Sequence, residues 1–200
     1  GASFDGTAAI KLSETNADEG FAWTGLIEEL SQSLDEPAIV ESTSSVDFSS
    51  YGCAIVLSHF RSHDTAGFNG AVKQTAIIST VSETTSRLSM GQCNLETLAE
   101  RGKKTADDLA GRILYINVMD RTTVESAGVA LPESNTYDIG ILASYDPVAL
   151  DQACIDMITI LREGSPFLSH IESCNGLYTL IYGEQIGLGS RTYAMTILKD

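Results

Sequence analysis

No C-x-x-C pair occurs anywhere among the 200 residues, and Cys53, Cys93, Cys154 and Cys174 are too widely spaced to frame a zinc ribbon or an iron–sulfur centre. Basic residues are also scarce: 12 Lys and Arg stand against 27 Asp and Glu, a net charge of −15. Such a field repels phosphate backbones and acidic bilayers, so neither nucleic acid nor a membrane surface is an expected partner. No apolar run approaches the length of a transmembrane helix, and the start Gly1-Ala2-Ser3-Phe4 has no signal-peptide character. Cys53 and Cys154 sit in apolar runs and read as small buried hydrophobes, reduced in a cytoplasmic setting. Cys93 and Cys174 lie in polar surroundings, and their spacing gives no support to a disulfide between them. Neither G-x-x-x-x-G-K-[ST] nor G-x-G-x-x-G is present, so the nucleotide-binding motifs are not satisfied.

What the chain does have is 43% hydrophobic residues, enough to pack a core, and the expectation is one α/β domain over residues 1–200. Short apolar runs at Thr7–Leu12, Pro37–Glu41, Cys53–Leu57, Ile113–Met119 and Asp138–Ala143 read as strands, with a last one at Thr192–Leu198. Trp23, Leu26, Ile27 and Leu30 recur at helical spacing through Ser33. A short helix should begin at Gly70–Thr75, and Leu95 to Ala110 carries a longer helical pattern. Asp146-Pro147 supplies a cap and a first-turn proline for a helix over Pro147–Arg162. Phe167–Ser173 and Thr179–Ile186 read as two short helices, and Thr122–Thr136 as a long polar loop. The alternation predicts a mainly parallel central sheet with helices on both faces.

Chemistry concentrates in Leu57–Lys73, LSHFRSHDTAGFNGAVK, which holds two of the three histidines, two glycines and a lysine after the strand Cys53–Leu57. A strand followed by a Gly-containing turn and a helix start brings backbone N–H groups and side chains together at the strand's carboxyl end. His59 and His63 are four apart, so both rings can meet one ligand, either as metal ligands or as acid and base; the bland alternative is a pair of hydrogen-bonded or surface histidines. Zinc would need a third ligand, for which Asp64 and His170 are candidates without any supporting H-E-x-x-H pattern, and no metal site is assigned. Lys73, ten residues after His63, falls where a helix begins and could neutralise a carboxylate or phosphate; its bland reading is an exposed helix lysine. Gly67 and Gly70 serve a close ligand approach or simply a tight turn. Asp146, Asp151 and Asp156 recur every five residues, which spreads them over different helix faces; Asp146 reads as a cap and Asp151 as a carboxylate facing the site. The loop Gly187–Ser190 followed by Arg191 could bind an anion through its N–H groups or could be only a tight connection.

Three blocks resemble a known family, the uncharacterised Fe-S-centre proteins built on domain of unknown function 362: VLSHFRSHDTAGFNGAVK (Val56–Lys73), DIGILASYDPVALDQACID (Asp138–Asp156) and HIESCNGLYTLIYGEQIGLGSRTY (His170–Tyr193). AAIKL near the start agrees more weakly. Many members of that family carry a ferredoxin-like insertion with eight cysteines between the first two blocks, whereas here Gln74 to Tyr137 contains only Cys93. The resemblance therefore implies the scaffold without the iron–sulfur cluster. The first block is also similar to the catalytic segment of nickel-pincer lactate racemases, H-x-x-A-G-[FY]-S-G-G-x-K. That similarity implies a proton-transferring role for His63 and a cofactor-anchoring role for Lys73, with a nickel cofactor as a remote implication.

The functional expectation is a small-anion site, with His63, His59 and Lys73 as the catalytic candidates and Gly67, Gly70, Asp151 and Arg191 as ligand-binding candidates. A racemase or isomerase acting on a small hydroxy acid is the enzymatic alternative, and a non-catalytic regulatory or structural subunit is the other. No cofactor is expected, and the sequence does not fix the oligomeric state.

Overall fold

The structure is a computed structural model and describes residues 8–12, 38–40, 52–78, 92–119, 139–161 and 166–198. The chain is α/β. Five strands form one sheet: β1 (Ala8–Leu12), β2 (Ala38–Val40), β3 (Cys53–His59), β6 (Ile113–Met119) and β7 (Gly140–Ser144), in the order β2-β1-β3-β6-β7. The β1–β2, β1–β3 and β3–β6 pairings are parallel, whereas β7 runs antiparallel to β6 along the edge, so the sheet is mixed. β3 reads CAIVLSH and has a strand on either side, which is why its apolar run is continuous rather than alternating. A second, two-stranded sheet is the hairpin β4 (Arg61–His63) and β5 (Gly67–Asn69).

Five helices are described: α1 (Ala71–Ile78), α2 (Gln92–Asp108), α3 (Pro147–Leu161), α4 (Pro166–Ser173) and α5 (Leu177–Gln185). The Asp146–Pro147 start of α3 works as its residue types predict. Asp146 Oδ1 accepts the N–H groups of Val148 and Ala149, each at 2.9 Å, and proline occupies the first helical position, where its missing N–H costs nothing. α4 ends where Asn175 takes a left-handed conformation and Gly176 N–H returns to Ile171 O at 2.8 Å.

In register, Ala54 stands beside Ile113, Val56 beside Tyr115 and Ser58 beside Asn117, so these six residues share one face of the sheet. α1 and α3 close that face, with Ala71 and Leu150 packed into the cluster of Ala54, Val56, Ile113 and Tyr115. A second cluster joins the hairpin to the C-terminal helices: the Phe60 ring lies 5.5 Å from that of Phe68 and 5.9 Å from that of Phe167, centroid to centroid, and Val148, Ile158, Ile171 and Leu180 surround them. Burying these side chains supplies the main drive for seating the hairpin, at about 1.5–3 kcal/mol for each large apolar group.

The structure corrects several of the expectations. β3 runs two residues further than the apolar run, through Ser58 and His59. The strand expected at Asp138–Ala143 starts at Gly140 and pairs antiparallel with β6 at the edge of the sheet, where only one neighbour constrains its direction. Thr192–Leu198 is not a strand. That segment is held to α3 by side chains instead, Arg191 Nε on Gln152 Oε1 at 2.9 Å and Tyr193 Oη on Asp156 Oδ2 at 2.8 Å, and an alternating pattern becomes a strand only where another strand completes its ladder. Cys53 is half-buried rather than buried, since it occupies the first position of β3, while Cys154 is fully buried; both are free thiols, as is Cys174. The helix Trp23–Ser33, the loop Thr122–Thr136 and the side chain of Cys93 lie outside the described residues. Among the described residues, no helix is long and apolar enough to cross a membrane.

Candidate functional site

The carboxyl end of β3 delivers the chain into the hairpin and then into α1, so His59, His63 and Lys73 come from three successive elements. His59 is the last residue of β3, buried at 8% exposure, and its carbonyl accepts Asn69 Nδ2 at 3.2 Å. His63 closes β4 and is half-buried. Its Nδ1 accepts the N–H groups of Thr65 and Ala66, both at 3.3 Å, and lies 3.4 Å from Thr65 Oγ1. Those donors occupy Nδ1 as an acceptor, which assigns the ring proton to Nε2. Burial, then the Lys73 ammonium, lower the His63 pKa from 6.5 to about 4, so at neutral pH the ring is uncharged.

Lys73 lies in the first turn of α1 and is half-buried, its Nζ donating to Asn69 Oδ1 at 3.0 Å. The same oxygen accepts Gln74 Nε2, also at 3.0 Å. Asn69 thus ties the end of β3, the hairpin and α1 together through one side chain. The turn between β4 and β5 rests on the end of α4: His170 Nε2 lies 3.2 Å from His63 O, and Cys174 Sγ donates to Asp64 O at 3.3 Å. Gly67 has φ +82, and a Cβ there would come within 2.9 Å of the Gly176 α-carbon, so backbone meets backbone at this crossing.

The N–H groups of the first turn of α1 face a side chain of this same protein. Asp151 Oδ1 accepts Ala71 N–H at 2.7 Å and Oδ2 accepts Val72 N–H at 2.9 Å. Asn117 Nδ2 completes the set on Oδ1 at 2.7 Å. A carboxylate on α3 therefore caps α1 from 80 residues away, and a Cβ at Gly70 would collide with it. Asp151 has no exposed surface, and burial, outweighing these hydrogen bonds, raises its pKa from 3.8 to about 6. The loop Gly187–Ser190 follows the same plan. Its Ser190 N–H meets Asp146 Oδ2 at 2.7 Å, and Arg191 N–H meets Glu184 Oε1 at 2.7 Å.

The structure thus brings His63 and Lys73 within electrostatic reach of each other and places His59 at the base of the same hairpin. Asp151 caps the first turn of α1 and has no solvent exposure, and Arg191 reaches Gln152 on α3. Gly67 and Gly70 each stand where a side chain would strike a neighbour. Among the described residues, no group of three or more His, Cys, Asp or Glu side chains is placed to hold a metal ion. Sequence reasoning did not anticipate Asn69, Gln74 and Asn117 as the connecting residues. The one available signal was an aspartate inside the apolar turn Val148-Ala149-Leu150-Asp151.

Residues 12–156 match the family described as "Domain of unknown function (DUF362)", and the chain belongs to that family. The matched stretch includes His59, His63, Lys73 and Asp151 and stops before α4, so His170, Cys174 and Arg191 lie beyond it. No curated protein and no solved structure matches the chain.

Proposed function

We propose that this protein binds a small anion, such as a carboxylate or hydroxy acid, between the His63 ring and the Lys73 ammonium. One observation carries the reading: His63 Nδ1 is taken up by the N–H groups of Thr65 and Ala66, which leaves an N–H at Nε2 on a ring within electrostatic reach of the Lys73 ammonium. A neutral N–H donor next to an ammonium suits an anionic oxygen, since both groups donate and only one carries charge. The attraction is local, set by one half-buried lysine within a chain of net charge −15, so binding should weaken with salt. A pKa of about 4 makes His63 a weak base, which favours binding over proton abstraction from carbon as in the racemase-like alternative.

Titration calorimetry with lactate, oxalate and phosphate at pH 7, repeated on His63→Gln and Lys73→Met, tests the site. Saturable binding by at least one anion, weakened about tenfold or more in both variants, is expected. An anion near the ring stabilises its protonated form, so the His63 pKa should rise on binding, as followed by ring nitrogen shifts. Affinity unchanged from the parent protein in both variants would falsify the assignment.

A further inference from the structure

Asp151 has an arrangement that the anion site alone does not require. Its carboxylate is sealed from solvent, accepts three hydrogen bonds and holds the first turn of the helix that carries Lys73. Among the described residues, the charge acting on it is another carboxylate, Asp146 at the head of α3, while Asp151 in turn raises the pKa of two further acids, Cys154 on α3 and Tyr115 on β6. Lys73, two residues along α1, donates to Asn69 Oδ1. A buried carboxylate in acid company is easily neutralised by a proton, which is the usual response of an ion that hydrogen bonds stabilise but no countercharge does.

An added proton also has somewhere to go. Asn117 donates through Nδ2 to Asp151 Oδ1, and Nδ2 lies 3.4 Å from Cys154 Sγ, while its Oδ1 is buried with no hydrogen-bond partner. Ser58, beside Asn117 in register, has a buried Oγ in the same condition. When a solvent proton binds Asp151 Oδ1, the O–H becomes a donor and Asn117 Nδ2 is left facing it. Turning the carboxamide over replaces Nδ2–H···Oδ1 of Asp151 with O–H···Oδ1 of Asn117 and aims Nδ2 toward Ser58. The protonated oxygen is then a poor acceptor for the α1 N–H group that it held.

We infer that Asp151 is a positioning residue for the Lys73 site, gripping the N-terminus of α1 while ionised and loosening it on protonation, with Asn117 as the partner that reverses. The link to ligand affinity rests on the anion reading above, but the grip on α1 is measurable without any ligand.

The test uses the full chain, isotope-labelled and without anion, titrated from pH 8 to pH 4. The Asp151 carboxyl carbon, the Ala71 and Val72 amide protons and the Asn117 side-chain amide should move together, with a midpoint well above that of an ordinary aspartate. Amide exchange across Ala71–Lys73 should accelerate over the same range beyond the ordinary effect of pH. In Asp151→Asn the Ala71 and Val72 amides should cease to titrate. Oxalate should bind the parent protein about fivefold or more weakly at pH 5 than at pH 7, a loss absent from Asp151→Asn. Amides of Ala71 and Val72 that stay still across the titration, or that move alike in Asp151→Asn, overturn the inference. Should that variant not fold, the carboxyl-carbon and amide titrations of the parent protein decide the question by themselves. Failure of oxalate to bind at pH 7 counts against the anion site and leaves the α1 titration to stand or fall separately.

Discussion

Asp151 caps the start of α1 and His63 lies within electrostatic reach of the lysine in that helix's first turn, and burial drives the two groups in opposite directions. The carboxyl of Asp151 is pushed up to about 6 and the imidazole of His63 down to about 4. Both changes have the same origin, since each disfavours the charged form of a group removed from water. What separates them is the use made of the neutral or charged form. Asp151 is enclosed on all sides and spends its lone pairs on backbone donors of α1, which makes it part of the scaffold. His63 is enclosed on its Nδ1 side and only half-buried, which leaves the Nε2 edge as its chemically distinct face. Degree of enclosure, more than residue type, distinguishes a structural polar group from a candidate ligand-binding one here.

The strongest way to break that distinction is Asp151→Ala. It strips partners from Ala71 N–H, Val72 N–H and Asn117 Nδ2, and orphaned buried donors of this kind should cost about 3 kcal/mol or more in urea unfolding at pH 7. His63→Gln should cost far less, and an equal loss would erase the contrast.

Next in size is the pH dependence, where the two groups should oppose each other. Asp151 is raised on folding, so its contribution is fully present below about pH 3.8 and is lost as pH rises through about 6. The parent protein should therefore lose on the order of 2–3 kcal/mol relative to Asp151→Asn between pH 4 and pH 7. His63 is lowered on folding, so the unfolded chain holds its proton more tightly between about pH 4 and 6.5. Relative to His63→Gln, the parent protein should gain stability as pH rises through that window. Two difference curves with the same sign would contradict the assignment of burial as the common cause.

A smaller effect sharpens the account of the hairpin. Gly67→Ala must accept both a left-handed backbone and the close approach of the Gly176 backbone, whereas Gly111→Ala at φ +72 meets nothing within 4 Å. Costs of about 2–3 kcal/mol and about 1 kcal/mol respectively are expected from thermal unfolding. Smallest of all should be Lys103→Ala, which removes an exposed pair with Asp107 at 2.8 Å and should change stability by about 0.5 kcal/mol or less.

Much of this fold could be read from residue order. Ile113–Met119 has the bounds expected of its apolar run, and α3 begins at the Asp146–Pro147 signal, because both elements are specified by contiguous residues. The β4–β5 hairpin escaped because strands of three residues carry no measurable alternation, and its stability comes from Phe60, Phe68 and Phe167, which are distant in sequence. In the candidate site, His63 and Lys73 stood out by residue type and spacing. The N–H groups at the start of α1 and in the Gly187–Ser190 loop also read as open to an outside anion. A sequence cannot show that Asp151 and Asp146 fill those two places, since each contact links segments tens of residues apart.

The separation between Ala71 and Asp151 has a consequence for how the molecule is made. Because 80 positions divide donor from acceptor, α1 emerges from a ribosome long before the group that terminates it has been translated. Until then its leading turn must rely on water, and loop-closure entropy delays the joining of the two segments. The segment proposed to meet the ligand is thus completed only after α3 has formed against the sheet, so nascent chains halted short of residue 151 would present the histidine and lysine without the geometry that relates them.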